Sequence, residues 1–347
     1  MITFRLAKKK DVKKVQIFLS FNFKKNHILS KNKKFFKWLY VSKRVNCLIA
    51  ESQNKIVGIY LFTPLSQFDK NLKSNQIFLS TWTIEGFKKE NEKNDSKKSI
   101  TIAYKMMNEI YKILHGKFTI NVGIDTRLVK FHEYKKIFSN PSNHHFIISP
   151  NIKKLKILKK INKEKYLIKK NKNNNLIFNE IKNKNHFYKH KLKKLFNHQV
   201  PLKSEEYLLN RYLKHPIYKY RIFIVSENNT KCLCVLRIVK IKNTNVIRMI
   251  DYVGENKTFP ILRDFFLEIL KKFKAEYLDF YSLGIPLKYL EKSGLINKKL
   301  DNHIIPDWFN PLVYKNIEIF IGCLNIKKKD KAKFRIFKGD GDQDRPS

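Results

Sequence analysis

Apolar and polar positions alternate in blocks along this chain, and the blocks set an order of elements. ITFRLA, near the start, is a short run that predicts a strand. Val12, Val15, Phe18 and Leu19 then recur at helical spacing behind Asp11, which is placed to cap the helix. FFKWLY predicts a further helix or an aromatic segment over a core. In CLIAESQNKIVGIYLFTP two apolar runs are joined by the polar residues Glu51 to Lys55, a β-hairpin pattern, and QIFLSTWTIE supplies the next strand. Ile100, Ala103, Met107, Ile110 and Leu114 form a helical stripe with Ser96 or Ser99 as its cap. FTINVGID is a strand and VKFHEYKKIF is helix-like. The order is strand, helix, three strands, helix, strand, helix.

From Asn151 to Asn185 Lys and Asn dominate and apolar residues thin out around KKNKNNNL, which marks a connection. The pattern then repeats. FYKHKLKKLFNHQ and EEYLLNRYL are helix-like, and YRIFIV, CLCVLRIVKI and VIRMIDYVG are three successive strands. Thr258 and Pro260 open a helix carrying Ile261, Phe265, Ile269 and Phe273 on one side. AEYLDFYSLG is another strand, PLKYLEKSGL a closing helix, and IEIFIGCL a late strand. The expected division is a first domain over 1–150, a connection over 151–185, a second domain over 186–325 and a tail over 326–347. At 347 residues the chain is long enough for two cores.

Charge changes this picture little. The formal net charge is +44, which suggests nucleic acid or an anionic surface, but 63 of the 73 basic residues are Lys and only 10 are Arg. Arg is the residue suited to bidentate phosphate and base recognition. A Lys, Asn and Ile excess is what an AT-rich coding sequence produces, so nucleic acid is not the expected partner. Cys232 and Cys234 share one face of an alternating strand, and all four cysteines suit buried thiols rather than a metal site. The first residues contain no apolar leader, and no run reaches the roughly 18 apolar residues of a membrane span. A cytoplasmic protein is the expectation.

RLAKKKDVKKVQIFL runs from an Arg-x-Ala strand into an Asp-led helix, and Gly58 begins the third strand. With the element order, these features resemble the GCN5-related N-acetyltransferase (GNAT) superfamily. The resemblance implies an α/β fold with mixed sheets, here two GNAT-like domains in tandem, the second degenerate. The arrangement is similar to that of the peptidoglycan-interpeptide aminoacyltransferases. It also implies acetyl-CoA or another acyl-CoA as co-substrate and an amine-bearing small molecule as acceptor. Backbone groups around Thr81, Trp82 and Thr83 would hold the pantetheine arm and thioester. Lys97, Lys98 and Ser99 would face the pyrophosphate at a helix start, where exposed N–H groups favour anions. Glu85 would accept the amine proton and Tyr134 would protonate the leaving thiolate. Asp125 and Arg127 would orient ligand or cap a helix.

The phosphate loop departs from the family. GNAT enzymes carry Arg/Gln-x-x-Gly-x-Gly/Ala, whereas this chain has EGFKKENEKNDSKKSI with Gly86 alone. In the closing segment Phe138 replaces the glycine, and in the second half Leu290 rather than Tyr289 falls at the acid position. The tail, FRIFKGDGDQDRPS, sets Asp340, Asp342 and Asp344 at alternate positions in a basic chain, a pattern suited to a divalent cation or a cationic acceptor. It resembles C-terminal sequences of GNAT-like proteins from bacterial surface-polysaccharide clusters, which implies an amino-sugar acceptor. Two other classes stay open: a non-catalytic GNAT-like scaffold with a decayed phosphate loop, and a basic RNA-associated protein.

Overall fold

The computed structural model describes residues 2–72, 75–86, 97–124, 129, 133, 137–168, 175–190, 192–241, 243–300, 304–309, 312–314, 318–342 and 344. Its chain divides into two compact units. The first comprises 1–140, 320–326 and 341–347, and the second 141–319 and 327–340.

In the first unit seven strands form one sheet. They are β1 (Ile2–Leu6), β2 (Cys47–Ser52), β3 (Lys55–Pro64), β4 (Gln76–Ile84), β5 (Phe118–Ile124), β6 (Phe138–Pro141) and a strand from near the end of the chain, Phe320–Leu324. The spatial order is β1-β2-β3-β4-β5, then Phe320–Leu324, then β6. β4 and β5 are parallel, and the helix Lys97–Ile113 links them as a crossover must. Its buried face is Ile102, Ala103, Met106, Met107, Ile110 and Leu114, packed on Leu48, Tyr60, Phe62 and Leu79. Ile100, expected on this stripe, is 52 % exposed: in the register the fold adopts, the buried face begins at Ile102. Gly58 lets the helix close in, since a Cβ there would lie 3.2 Å from the Met106 sulfur. Asp11 precedes the helix Val12–Asn22 but does not cap it. Its carboxylate accepts from the Lys8 backbone and from Arg5, both at 2.7 Å, and Arg5, hydrogen-bonded to it, holds the acid below the usual carboxylate range.

The second unit repeats the plan. Its strands are β7 (Asn143–Ile148), β8 (Leu176–Ile181), β9 (Tyr220–Glu227), β10 (Thr230–Ile241), β11 (Thr244–Val253), β12 (Ala275–Leu283) and β13 (Ile296–Asn297), in the order β13-β7-β12-β11-β10-β9-β8. β14 (Trp308–Phe309) and β15 (Leu312–Val313) form a separate hairpin. Phe320–Leu324 of the first unit is β16, and the short β17 (Ile336–Phe337) pairs with β12. Each sheet therefore has one strand next to its parallel pair that is remote in sequence: β16 beside β5, and β7 beside β12. β7 falls in the second unit, which begins at Pro141. Phe265, Phe266, Ile269 and Leu270, with Cys232 and Cys234, make the core on one face, and Phe146, Ile148, Tyr277, Ile157 and Leu158 make the core on the other. Ile157 and Leu158 come from the Lys/Asn-rich connection. That backbone is held by the buried Glu276 carboxylate, which accepts from the N–H groups of Lys156, Ile157 and Leu158 at 2.7–2.8 Å.

Candidate active site

Parallel pairing between β4 and β5 runs from Gln76 opposite Phe118 to Leu79 opposite Asn121 and ends there, although β4 continues to Ile84. The strands part where β4 acquires an extra residue. Against β3, Trp82 faces Tyr60 and Leu79 faces Phe62, so Ser80 and Thr81 together oppose Leu61. The bulge turns both hydroxyls toward the same neighbours. Tyr40, at the end of the helix Lys33–Tyr40, shares a 2.8 Å hydrogen bond with Ser80 Oγ and donates to Asp342 Oδ2 at 3.2 Å; Thr81 Oγ1 donates to the same oxygen, also at 3.2 Å. Asp342 is buried, and Gly341 beside it has φ +66°, a left-handed turn that favours glycine. A Cβ on Gly341 would lie 3.8 Å from Phe78 and 3.9 Å from Val122, one residue from each of the parting strands.

The expected site residues distribute around this point. Thr81 and Thr83 are buried on β4, with Thr83 Oγ1 donating to Asn22 O at 2.9 Å. Trp82 stacks on Tyr60, ring centroids 5.5 Å apart. Glu85 is exposed just past the strand, its amide donating to Val57 O at 2.9 Å. Ser99 is buried in the first helical turn and donates to Glu85 O at 2.8 Å, tying the helix start to the end of β4. Lys97 and Lys98 open that helix, and their side chains lie outside the described residues, as do Tyr134, Asp125 and Arg127. Tyr40 and Ser80 had no assigned role in the sequence, and Asp342 was singled out only with Asp340 and Asp344, as alternating acids suited to a cation or a cationic acceptor.

In the second unit the corresponding gap is filled. Pairing of β11 with β12 ends at Met249 opposite Phe280, and β17 adds to β12 with Phe337 opposite Ser282. The chain then crosses to β11, where Gly339 N donates to Ile250 O at 2.8 Å. A Cβ on Gly284 would meet Phe334 O at 2.0 Å, so the filling segment lies directly on the strand end. Charged groups anchor it. The buried Lys203 ammonium pairs with Asp251 and, at 3.1 Å, with Asp340, while Tyr212 donates to Asp251 at 2.6 Å. Burial pushes the Asp340 carboxyl up, to about 6, against the pull of Lys203. Lys338 and Tyr281 each donate to Asp307 Oδ1 at 2.7 Å, and Arg248 pairs with Asp279 at 2.8 Å. Burial alone would raise Asp279, but Arg248 beside it brings the acid down to about 2. Asp340 and Asp342 thus go to different partners. Among the described residues no group of His, Cys, Asp and Glu is placed to hold a metal ion, and no helix is long and apolar enough to cross a membrane.

Each unit holds a mixed sheet with a parallel pair joined through a crossover, and solved GNAT acetyltransferases share the fold of the chain. A GCN5-related N-acetyltransferase from Anabaena variabilis superposes with a TM-score of 0.54 at 11 % identity, covering 92 % of this chain and 72 % of its own. An Enterococcus faecalis protein of unknown function, described as a probable N-acyltransferase, gives 0.53 at 10 % identity over 94 % and 73 %. A Pyrococcus horikoshii protein provisionally assigned as an acetyltransferase gives 0.51 at 9 % over 97 % and 92 %. No family model matches the sequence, and no curated protein matches it.

Proposed function

We propose that the protein is an N-acyltransferase that moves an acyl group from acetyl-CoA or another acyl-CoA to an amine-bearing small molecule, with the first unit as the reacting one. The observation that carries this reading is the parting of β4 from β5 after Leu79. Among the described residues no strand pairs with the β5-facing edge of Ser80–Ile84, and an extended pantetheine arm is a chain that can pair with such an edge. Ser99 ties the start of the helix from Lys97 to the end of β4, so the N-terminal N–H groups of that helix are the anion site for the pyrophosphate, with Lys97, Lys98 and Ser99 around it. The resemblance gives the proton-accepting role to Glu85 and the thiolate-protonating role to Tyr134. An amino sugar of surface-glycan biosynthesis is the acceptor class to test first, on the likeness of the tail.

The filled gap in the second unit favours a different role for that half. With β17 and Gly339 occupying the equivalent space, the second unit acts as a non-catalytic scaffold. Thermal melting of the full chain with coenzyme A tests both parts. A ligand at 100 times its dissociation constant stabilises by about 2.7 kcal/mol, so the melting temperature should rise. Replacing Lys97 and Lys98 by Ala should shrink the rise through lost phosphate attraction. No rise with coenzyme A or acetyl-CoA at millimolar concentration would remove the acyl-transfer reading.

A further inference from the structure

The acyl-transfer reading gives the C-terminal segment no part in the chemistry, yet that segment brings two buried carboxylates, Asp342 and Asp344, into the first unit. Resting on that reading, we infer that the Asp342 carboxylate is the catalytic proton acceptor for the attacking amine, in place of Glu85. The argument is one of position. Thr81, which donates to Asp342 Oδ2 at 3.2 Å, lies two residues past Leu79, where β4 leaves β5. Gly341 rests against Phe78 and Val122, one from each parting strand, so the residue after it stands at the mouth of the gap. Tyr40 and Thr81 both donate to the same oxygen, which fixes the rotation of the carboxylate. Glu85 is four residues farther along β4 than Thr81, roughly 13 Å at the rise of a strand, and exposed. A thioester held between the strands near the bulge lies beside Asp342, not beside Glu85.

The step balances as follows. The lone pair of a neutral primary amine attacks the thioester carbonyl and forms the C–N bond, and an N–H proton passes to the Asp342 carboxylate. The tetrahedral centre collapses, the C–S bond breaks with its electron pair leaving on sulfur, and the proton taken by Asp342 passes on through solvent to the thiolate, which gives free coenzyme A and restores the carboxylate. The products are an amide and a thiol, with no oxidant or reductant required. Hydrogen bonds from Tyr40 and Thr81 hold the acceptor in place through the transfer.

Two measurements test this. In a crystal of the full chain with coenzyme A the sulfur should lie within about 6 Å of the Asp342 carboxylate, the span of a hydrogen-bonded amine in line with the thioester carbon. A sulfur more than about 10 Å away overturns the inference. Among variants, Asp342→Asn keeps an oxygen for both hydroxyls, so its melting temperature and its coenzyme A shift should match the parent. Its turnover, read as thiol release from acetyl-CoA over a panel of primary amines that includes amino sugars, should fall about 100-fold or more. Asp342→Glu should recover part of the rate. If Asp342→Asn turns over normally, the inference falls while acyl transfer stands. If Asp342→Asn loses stability and the coenzyme A shift together with turnover, Asp342 is a tether and the inference falls. A parent protein that coenzyme A does not stabilise fails earlier, at the acyl-transfer reading itself.

Discussion

Lys203 sits between Asp251 and Asp340 with all three side chains fully buried. Taking one partner from such a cluster leaves uncompensated charge in a low-dielectric interior, which costs about 3–5 kcal/mol. Lys203→Met should therefore lower the denaturant midpoint by a corresponding amount, and a midpoint equal to the parent's would show that the lysine does not hold the tail. Backbone contact is as demanding at Gly284, which has φ +94° and Phe334 O at 2.0 Å from its would-be Cβ. Gly284→Ala should destabilise by at least about 2 kcal/mol, read in the same titration, because neither strand end can retreat without unpairing β17. At this scale the sequence was legible where chemistry and pattern coincided. The close approach at Gly58 and the shared face of Cys232 and Cys234 follow from strand rules. The pairing of Lys203 with two aspartates remote in sequence does not, since nothing in one lysine among many singles it out.

β7 carries two adjacent histidines inside the second unit, His144 with Nε2 3.1 Å from Asp279 and His145 with both ring nitrogens lacking hydrogen-bond partners among the described residues. Burial pulls both imidazoles down, to about 4; for His144 the Asp279 carboxylate opposes this, and Lys298 and Arg248 add to it. A depressed folded-state value means that the contribution to stability is complete above the unfolded value near 6.5 and is lost as pH falls toward 4. Asp340 acts oppositely: its value is raised to about 6, so its contribution is complete below the unfolded value near 3.8 and lost as pH rises through 6. With two histidines against one aspartate, the melting temperature should drop between pH 6.5 and 4. His145→Gln should flatten that drop; an unchanged slope would place the titration elsewhere. The strands of the hairpin runs were legible from their apolar pattern, but β7 was not. HHFII does not alternate and was not among the predicted strands, and in the structure it enters the second sheet beside β12. The tail was equally opaque, because the two-residue β17 is too short to leave a periodic signal.

For the whole molecule, a charge of +44 built mainly from Lys predicts diffuse phosphate contacts. Binding to duplex DNA or RNA should be weak and should disappear between about 50 and 200 mM salt. Salt-resistant, sequence-selective binding in a filter or anisotropy assay would contradict this and favour the RNA-associated class. The element order alone carried the two-domain α/β architecture, because crossover helices between parallel strands leave a distinct succession of periods. What the order lacked was the asymmetry of the two units: one parallel pair parts with Asp342 at its mouth, and the other is filled by the chain itself. That asymmetry is a matter of where residues 334–342 lie, which no local pattern encodes. The claim that the first unit alone receives acyl-CoA is tested most directly by amide hydrogen exchange of the full chain with and without acetyl-CoA. Exchange should slow at residues 80–86 and at the helix start from Lys97, while residues 250–253 and 281–284 stay unchanged. Protection confined to residues 250–253 and 281–284, or no protection anywhere at millimolar acetyl-CoA, would contradict the account.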